Sequence, residues 1–136
     1  MTFVLALLLA IGDIAAVRSE SDPEKRSELA LANADRAIDA ARQSYKDGDD
    51  KAAQAAIQEV GESVDVSYDA LEHAHKAPRK SKYYKSAELK VRALMRRLAS
   101  FRDEVSFDSR QTVDGVIKKL SDVHDQLLNG IMSKKK

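Results

Sequence analysis

The chain has 136 residues, a net charge of +1 and no cysteine. This length allows one domain with a modest core, and the lack of cysteine excludes disulfides, thiolate metal ligands and cysteine nucleophiles. Five glycines and two prolines in a chain that is 43% hydrophobic and 33% charged are typical of an all-helical protein rather than a sandwich or barrel.

The N-terminus begins with an unbroken apolar run at residues 3–11. This run is too short to span a bilayer, which needs about 20 residues, but it has the length of a signal-peptide core. The small pair Ala15 and Ala16 follows, although no Lys or Arg precedes the run. We therefore predict a signal peptide over residues 1–19, cleaved after Ala16 or Ser19. An uncleaved membrane anchor and a folded N-terminal segment are the alternatives.

Four later stretches place apolar or small residues at alternating spacings of three and four. Their members are Leu31, Ala34, Ile38, Ala41 and Tyr45; Ala53, Ile57, Val60, Val64, Ser67, Leu71 and Ala74; Tyr84, Ala87, Val91, Leu94, Leu98, Phe101 and Val105; and Val113, Val116, Leu120, Val123 and Leu127. This period belongs to helices that each bury one narrow face against other helices. The pattern predicts an up-down-up-down antiparallel four-helix bundle over residues 20–136.

Residues that start or end helices place the first two long helices at about 23–46 and 50–76. Asp22 and Pro23 form an N-cap followed by proline at the first helical position. Gly48 can take the left-handed conformation that ends a helix, and Asp49 or Asp50 can cap the next one. The second helix is expected to stop before Pro78.

The third and fourth long helices are predicted at about 82–105 and 109–128. Ser81 can cap the third helix, and Asp108 with Gln111 resembles a capping box for the fourth. The Asn-Gly pair at 129–130 is a good C-cap signal for the end of the fourth helix. In the third helix, the layer of Leu94, Leu98 and Phe101 carries the largest apolar side chains and is the expected centre of stability.

Charge is divided unevenly between the two halves of the chain. Residues 20–75 hold 14 acidic and six basic side chains, a net charge of −8, whereas residues 76–136 hold seven acidic and 16 basic ones, a net charge of +9. Two helical hairpins of opposite charge can pair with each other across the bundle, or their charges can simply be solvated. A third interpretation is a surface that binds an anionic partner.

The basic side chains are densest around the connection between the second and third long helices. The candidate surface for an anionic partner consists of Lys76, Arg79, Lys80, Lys82, Tyr83, Lys85, Arg92 and Arg96. In an exported protein, lipid headgroups, acidic polysaccharide or an acidic protein are the matching partners. Basic residues interleaved with tyrosine also suit single-stranded nucleic acid, because aromatic rings stack on bases.

Metal and haem sites are not predicted from this sequence. Glu72 and His75 have the Glu-x-x-His spacing of di-iron bundles, but those sites need a second such motif, which the chain lacks. His73 lies four residues after Asp69, which allows at most a weak surface site. Met95 and His124 lie on the flanks of their stripes rather than on the inward positions that haem ligation requires.

No catalytic constellation is predicted either. Ser121, Asp122 and His124 are close in sequence but project in different directions from one helix, and no Gly-x-Ser-x-Gly turn is present. The five glycines are scattered, so no phosphate-binding loop is expected. The sequence therefore indicates a protein that is not an enzyme and carries no cofactor.

Together these observations predict an exported, periplasmic or secreted helical-bundle protein that acts as an interaction or structural module of the cell envelope. Its partner is expected to be a protein or an anionic envelope component, with membrane contact through the N-terminal segment or the basic surface. The alternative is a carrier that holds a small ligand or a cofactor in the bundle interior. If the chain is not exported, nucleic-acid binding becomes the competing prediction.

Overall fold

A computed structural model describes residues 13–133 of the chain, and over this range the protein is helical without any strand. The five α-helices are α1 (Asp13–Arg18), α2 (Pro23–Lys46), α3 (Asp50–His73), α4 (Lys82–Glu104) and α5 (Phe107–Met132), and a 3₁₀ turn spans Pro78–Lys80. The prediction of an all-helical protein is confirmed, and the packing of these helices is compatible with a helical bundle.

The predicted start signals of three helices act as the sequence indicates. The Asp22 side chain accepts a hydrogen bond from the backbone N–H of Glu24, with Pro23 at the first helical position. Asp49 caps α3 in the same way, and Gly48 before it has a φ of 79°. Ser81 caps α4 by accepting from two backbone N–H groups. Local side-chain chemistry therefore places these boundaries.

Three predicted boundaries differ from the structure. Helix α3 ends at His73 rather than near residue 76, because His75 turns into the left-handed region with a φ of 56°. Helix α5 begins at Phe107 and continues to Met132, so neither the capping box at Asp108 nor the Asn-Gly pair at 129–130 marks an end. Gly130 stays helical and lies against Pro78, where an added Cβ would sit 3.2 Å from the proline ring.

Contacts between helices define their order and direction. Consecutive helices run antiparallel: Ser27 meets Ser67 and Asn33 meets Ser63 between α2 and α3, while Glu88 meets His124 and Arg102 meets Asp114 between α4 and α5. Parallel neighbours complete the arrangement: Lys90 meets Asp35 and Arg42 meets Glu104 between α2 and α4, while Lys119 meets Asp65 between α3 and α5. The connection from α3 to α4 therefore crosses one end of the molecule diagonally, over the end of α5.

The four predicted stripes face one common core. The largest side chains in it are almost fully buried, among them Ile38, Ile57, Leu71, Leu94, Leu98, Phe101, Leu120 and Leu127. Tyr45 packs the edge of its ring against Phe101, with ring centroids 6.0 Å apart. The layer predicted to carry most of the stability lies at the centre of this core, with Leu94 and Leu98 both at 0% exposure.

Helix α1 packs on the outside of the α2–α3 pair. Its Val17 is only 4% exposed and forms a small cluster with Ala30 of α2 and Val66 of α3. Arg18 adds an exposed ion pair to Glu62 at 3.3 Å. The apolar run at residues 3–11 lies outside the described residues, whereas α1 belongs to the last part of the predicted signal peptide.

Candidate anion-binding surface

The connection between α3 and α4 holds its backbone in a defined path across the end of the molecule. Ala77 has extended geometry before Pro78, as a residue preceding proline prefers, and Pro78 then opens the 3₁₀ turn. Pro78 also rests on the helical Gly130 of α5, where the missing side chain lets the two backbones approach. The contact of Pro78 with α5 and the Ser81 cap therefore fix the backbone that carries the basic residues.

All of the candidate cations lie at the surface. Arg79 and Lys80 belong to the 3₁₀ turn, and Lys82 and Lys85 belong to the first turn of α4. The first turn of α4 contains no acidic residue, so these lysines lie beside the positive end of the helix dipole. Positive side chains beside the positive end of a helix dipole destabilise the helix. The positive potential that they create at the start of α4 would be reduced by a bound anion.

Two of the seven cations of this surface are already paired within the fold. The Lys76 ammonium lies 2.7 Å from the Glu24 carboxylate, and this hydrogen bond is the main cause of the raised pKa of Lys76. Arg92 lies 2.5 Å from Glu88. Within residues 13–133, no carboxylate lies at ion-pair distance from the remaining five, which are Arg79, Lys80, Lys82, Lys85 and Arg96.

The two tyrosines at the start of α4 have different environments. Tyr84 is 6% exposed and belongs to the core, where burial raises the pKa of its hydroxyl. Tyr83 is half-buried, and the ammonium groups of Lys82 and Lys76 lie 5.2 Å and 6.0 Å from its ring centroid. The Tyr83 ring therefore helps to hold two of the cations in place.

Away from this surface, several basic residues of the second half of the chain form ion pairs with acidic residues of the first half. Arg97 of α4 contacts Asp35 at 2.9 Å and Asp39 at 2.5 Å on α2. Burial alone would lower the pKa of Arg97, but the hydrogen bonds to these two carboxylates outweigh it and raise the pKa. Lys119 pairs with Asp65 across α3 and α5 at 2.6 Å. These contacts support the interpretation that the two oppositely charged halves pair with each other.

A buried ionic network stands behind the basic face of α4. Glu88 is 7% exposed and accepts from Arg92, and Nε2 of His124 on α5 lies 2.6 Å from the same carboxylate oxygen. Burial alone would raise the pKa of Glu88, but the hydrogen bonds from Arg92 and His124 outweigh it and lower the pKa. The Glu88–Arg92 pair is visible in the sequence from its four-residue spacing, whereas the contact with His124 required the fold.

The core around Phe101 offers little room for a ligand. A small cavity of about 10 Å³ lies between Tyr45, Ile57, Phe101 and Val113, which is space for about one water molecule. Met95 packs against the core and His124 is engaged with Glu88. A ligand carried in this part of the molecule would have to displace packed side chains.

The histidine and carboxylate pairs considered for metal binding stay apart or exposed. His73 Nδ1 lies 2.8 Å from the backbone oxygen of Asp69 and 3.7 Å from its carboxylate, on an exposed part of α3. His75 follows the end of α3 and is exposed, so Glu72 and His75 do not share one helix. Between residues 13 and 133, no three histidine or acidic side chains gather as metal ligands would.

Leu89 is the surface residue that the sequence pattern did not single out. Its side chain is 58% exposed, although leucine is large and apolar, and it lies on α4 among the candidate cations. The sequence indicates the exposure of Leu89 only indirectly, because this leucine is not one of the residues at three-four spacing that fill the core. The structure therefore adds one apolar residue to a surface predicted from charge alone.

Comparisons with known proteins leave the surface to be judged from its own chemistry. No protein-family model, curated protein or solved structure matches this chain significantly. None of the helices within residues 13–133 combines the length and apolarity that a membrane crossing requires.

Proposed function

We propose that the protein is a non-catalytic, exported interaction module whose four long helices form an up-down-up-down bundle and whose basic surface binds an anionic partner. The single observation that carries this proposal is a set of five exposed cations at the α3–α4 connection and on α4, none of which has a carboxylate at ion-pair distance within residues 13–133. Arg97 and Lys119, in contrast, are neutralised by carboxylates of neighbouring helices. A surface left uncompensated beside such pairing is suited to an external anion.

The decisive variant reverses three charges of the connection: Arg79→Glu, Lys80→Glu and Lys82→Glu. All three side chains are exposed, and acidic residues at the start of α4 suit the helix dipole, so the fold should be retained. We expect the variant to lose salt-dependent retention on immobilised heparin and binding to poly-L-glutamate. Far-ultraviolet circular dichroism and urea denaturation check that the fold is unchanged.

A matched control carries the same change in net charge on other faces: Lys46→Glu, Lys51→Glu and Lys118→Glu. These lysines are exposed, and Lys118 makes only a local pair with Asp122. The control should retain at least half of the binding measured for the native chain. Equal losses in both triple variants would mean that net charge alone drives binding, and unchanged binding in the connection variant would overturn the proposal.

A further inference from the structure

One face of α4 aligns four of the candidate cations with one apolar residue. Lys82, Lys85, Leu89, Arg92 and Arg96 follow one another at spacings of three, four, three and four residues, and all five are exposed. This is the spacing of a coiled-coil seam, which keeps one line of side chains facing a partner helix. At 1.5 Å per residue, the seam extends for about 21 Å along the helix.

The surroundings of Leu89 allow a partner to approach closely. Its neighbours one turn away on the helix surface are Lys85, Ser86, Arg92 and Ala93. Ser86 and Ala93 are small, so the side chains of Lys85 and Arg92 are the large neighbours of the exposed leucine. An apolar centre surrounded by charge is the usual arrangement of an energetically important contact between proteins.

The seam is held from behind. Arg92 is fixed by Glu88, which is itself fixed by His124 of α5, at 2.5 Å and 2.6 Å respectively. Arg92 therefore loses little side-chain freedom when the seam binds a partner, which favours affinity. Lys82 is similarly steadied by the ring of Tyr83 at 5.2 Å.

These features favour an acidic helix over other anions. A flexible polyanion would use the cations but not Leu89, and one exposed leucine offers a bilayer little apolar area. A helix with acidic side chains at the same three-four spacing would meet the cations, and one apolar residue would cover Leu89.

We propose that the seam Lys82, Lys85, Leu89, Arg92 and Arg96 binds an acidic amphipathic helix of a partner protein. This inference rests on the proposed function and specifies its partner. Complementary charges would steer the encounter and set the register, and contact with Leu89 would discriminate this helix from unstructured acidic chains.

Two synthetic peptides test the proposal. The first is a 28-residue helix-forming peptide with glutamate at the seam positions and one leucine at the centre of the seam. The second has the same composition with the leucine moved to the opposite face. In fluorescence anisotropy titrations, we expect the native chain to bind the first peptide at least tenfold more tightly than the second. Leu89→Ser should remove most of this preference, whereas Phe107→Ser, which changes a side chain that is 77% exposed elsewhere, should leave it intact.

The outcomes separate this inference from the proposed function. Equal binding of the two peptides, or an unchanged preference in the Leu89→Ser variant, would overturn the helix inference while poly-L-glutamate binding still supported a general anionic partner. Binding of phosphatidylglycerol vesicles without binding of the first peptide would also overturn it. If the peptides, poly-L-glutamate and heparin all fail to bind, the proposed function fails as well.

Discussion

Glu88 shows how one side chain connects stability with the candidate surface. It is a buried carboxylate that joins α4 to α5 through His124 and holds the guanidinium of Arg92. Replacing the carboxylate with a carboxamide would keep one acceptor oxygen but would remove the negative charge that Arg92 and His124 share. Buried charged groups that lose a partner cost more free energy than exposed ones do, so the effect should be measurable.

The Glu88→Gln variant should be less stable than the native chain by about 1–3 kcal/mol at pH 7. Because the folded-state pKa of Glu88 is lowered from 4.5, its contribution is present above that value and is lost as the pH falls through the folded pKa. The difference between variant and native chain in urea denaturation should therefore shrink as the pH falls from 5 through the folded-state pKa. Asp122→Asn, which breaks an exposed pair with Lys118, is the control and should cost under about 0.5 kcal/mol. A constant difference across this pH range would contradict the role assigned to Glu88.

Leu98 tests the predicted centre of the core. The side chain is 0% exposed, and Leu94 and Phe101 lie in the same layer. Leu98→Ala should lower the free energy of unfolding by about 2–5 kcal/mol, because it removes apolar contacts and leaves a cavity. Leu89→Ala on the exposed face of the same helix is the matched control and should change stability little. A loss below about 1 kcal/mol for Leu98→Ala in chemical denaturation would argue against this core.

At the scale of elements, α2 and α3 form the most closely fitted pair. Alanines on α2, such as Ala30 and Ala34, are fully buried and allow the two backbones to approach. A line of polar contacts runs along the same interface: Ser27 with Ser67 at 2.8 Å, and Asn33 with Glu59 at 3.0 Å and with Ser63 at 2.9 Å. These hydrogen bonds form in only one register of α2 against α3, whereas small apolar residues alone would let the two helices slide past each other.

The Asn33→Ala variant removes the donor shared by Glu59 and Ser63. We expect a loss of about 1–3 kcal/mol in the free energy of unfolding, since both acceptors are buried and lose a hydrogen bond. Glu28→Ala, an exposed change on the same helix, should have little effect. If both variants unfold at the same urea concentration, the polar line contributes nothing to stability.

At the scale of the whole molecule, the position of α1 gives the predicted signal peptide a structural consequence. Cleavage after Ser19 would remove Val17, and cleavage after Ala16 would leave it as the first residue. Either cut would disturb the small cluster that Val17 forms with Ala30 and Val66. Cleavage and retention of α1 are therefore alternatives that one measurement separates.

Intact mass of the full-length product, taken separately from periplasmic and cytoplasmic fractions of a bacterial host, is that measurement. We expect a periplasmic species that lacks about 16–19 residues, as signal-peptide cleavage predicts. A chain with Ala16 replaced by a bulky residue is a useful control, since it should block a cut after that position. An uncut cytoplasmic product would contradict export and would make α1 part of the working protein.

The sequence by itself determined the helical class, three of the caps and the inward faces, because these depend on local chemistry and on a periodicity that needs only one helix. It also located the basic surface, since charge density is visible without a fold. The ends of α3 and α5 depended on tertiary contact: His75 turns to begin the crossing, and Gly130 stays helical under Pro78. The same holds for the distinction between paired and unpaired cations. Arg97 meets Asp35, whereas Lys85 has no carboxylate at ion-pair distance in the part of the chain that the structure describes. Which of these outcomes a cation has depends on which helices become neighbours, and only packing of the whole chain decides that.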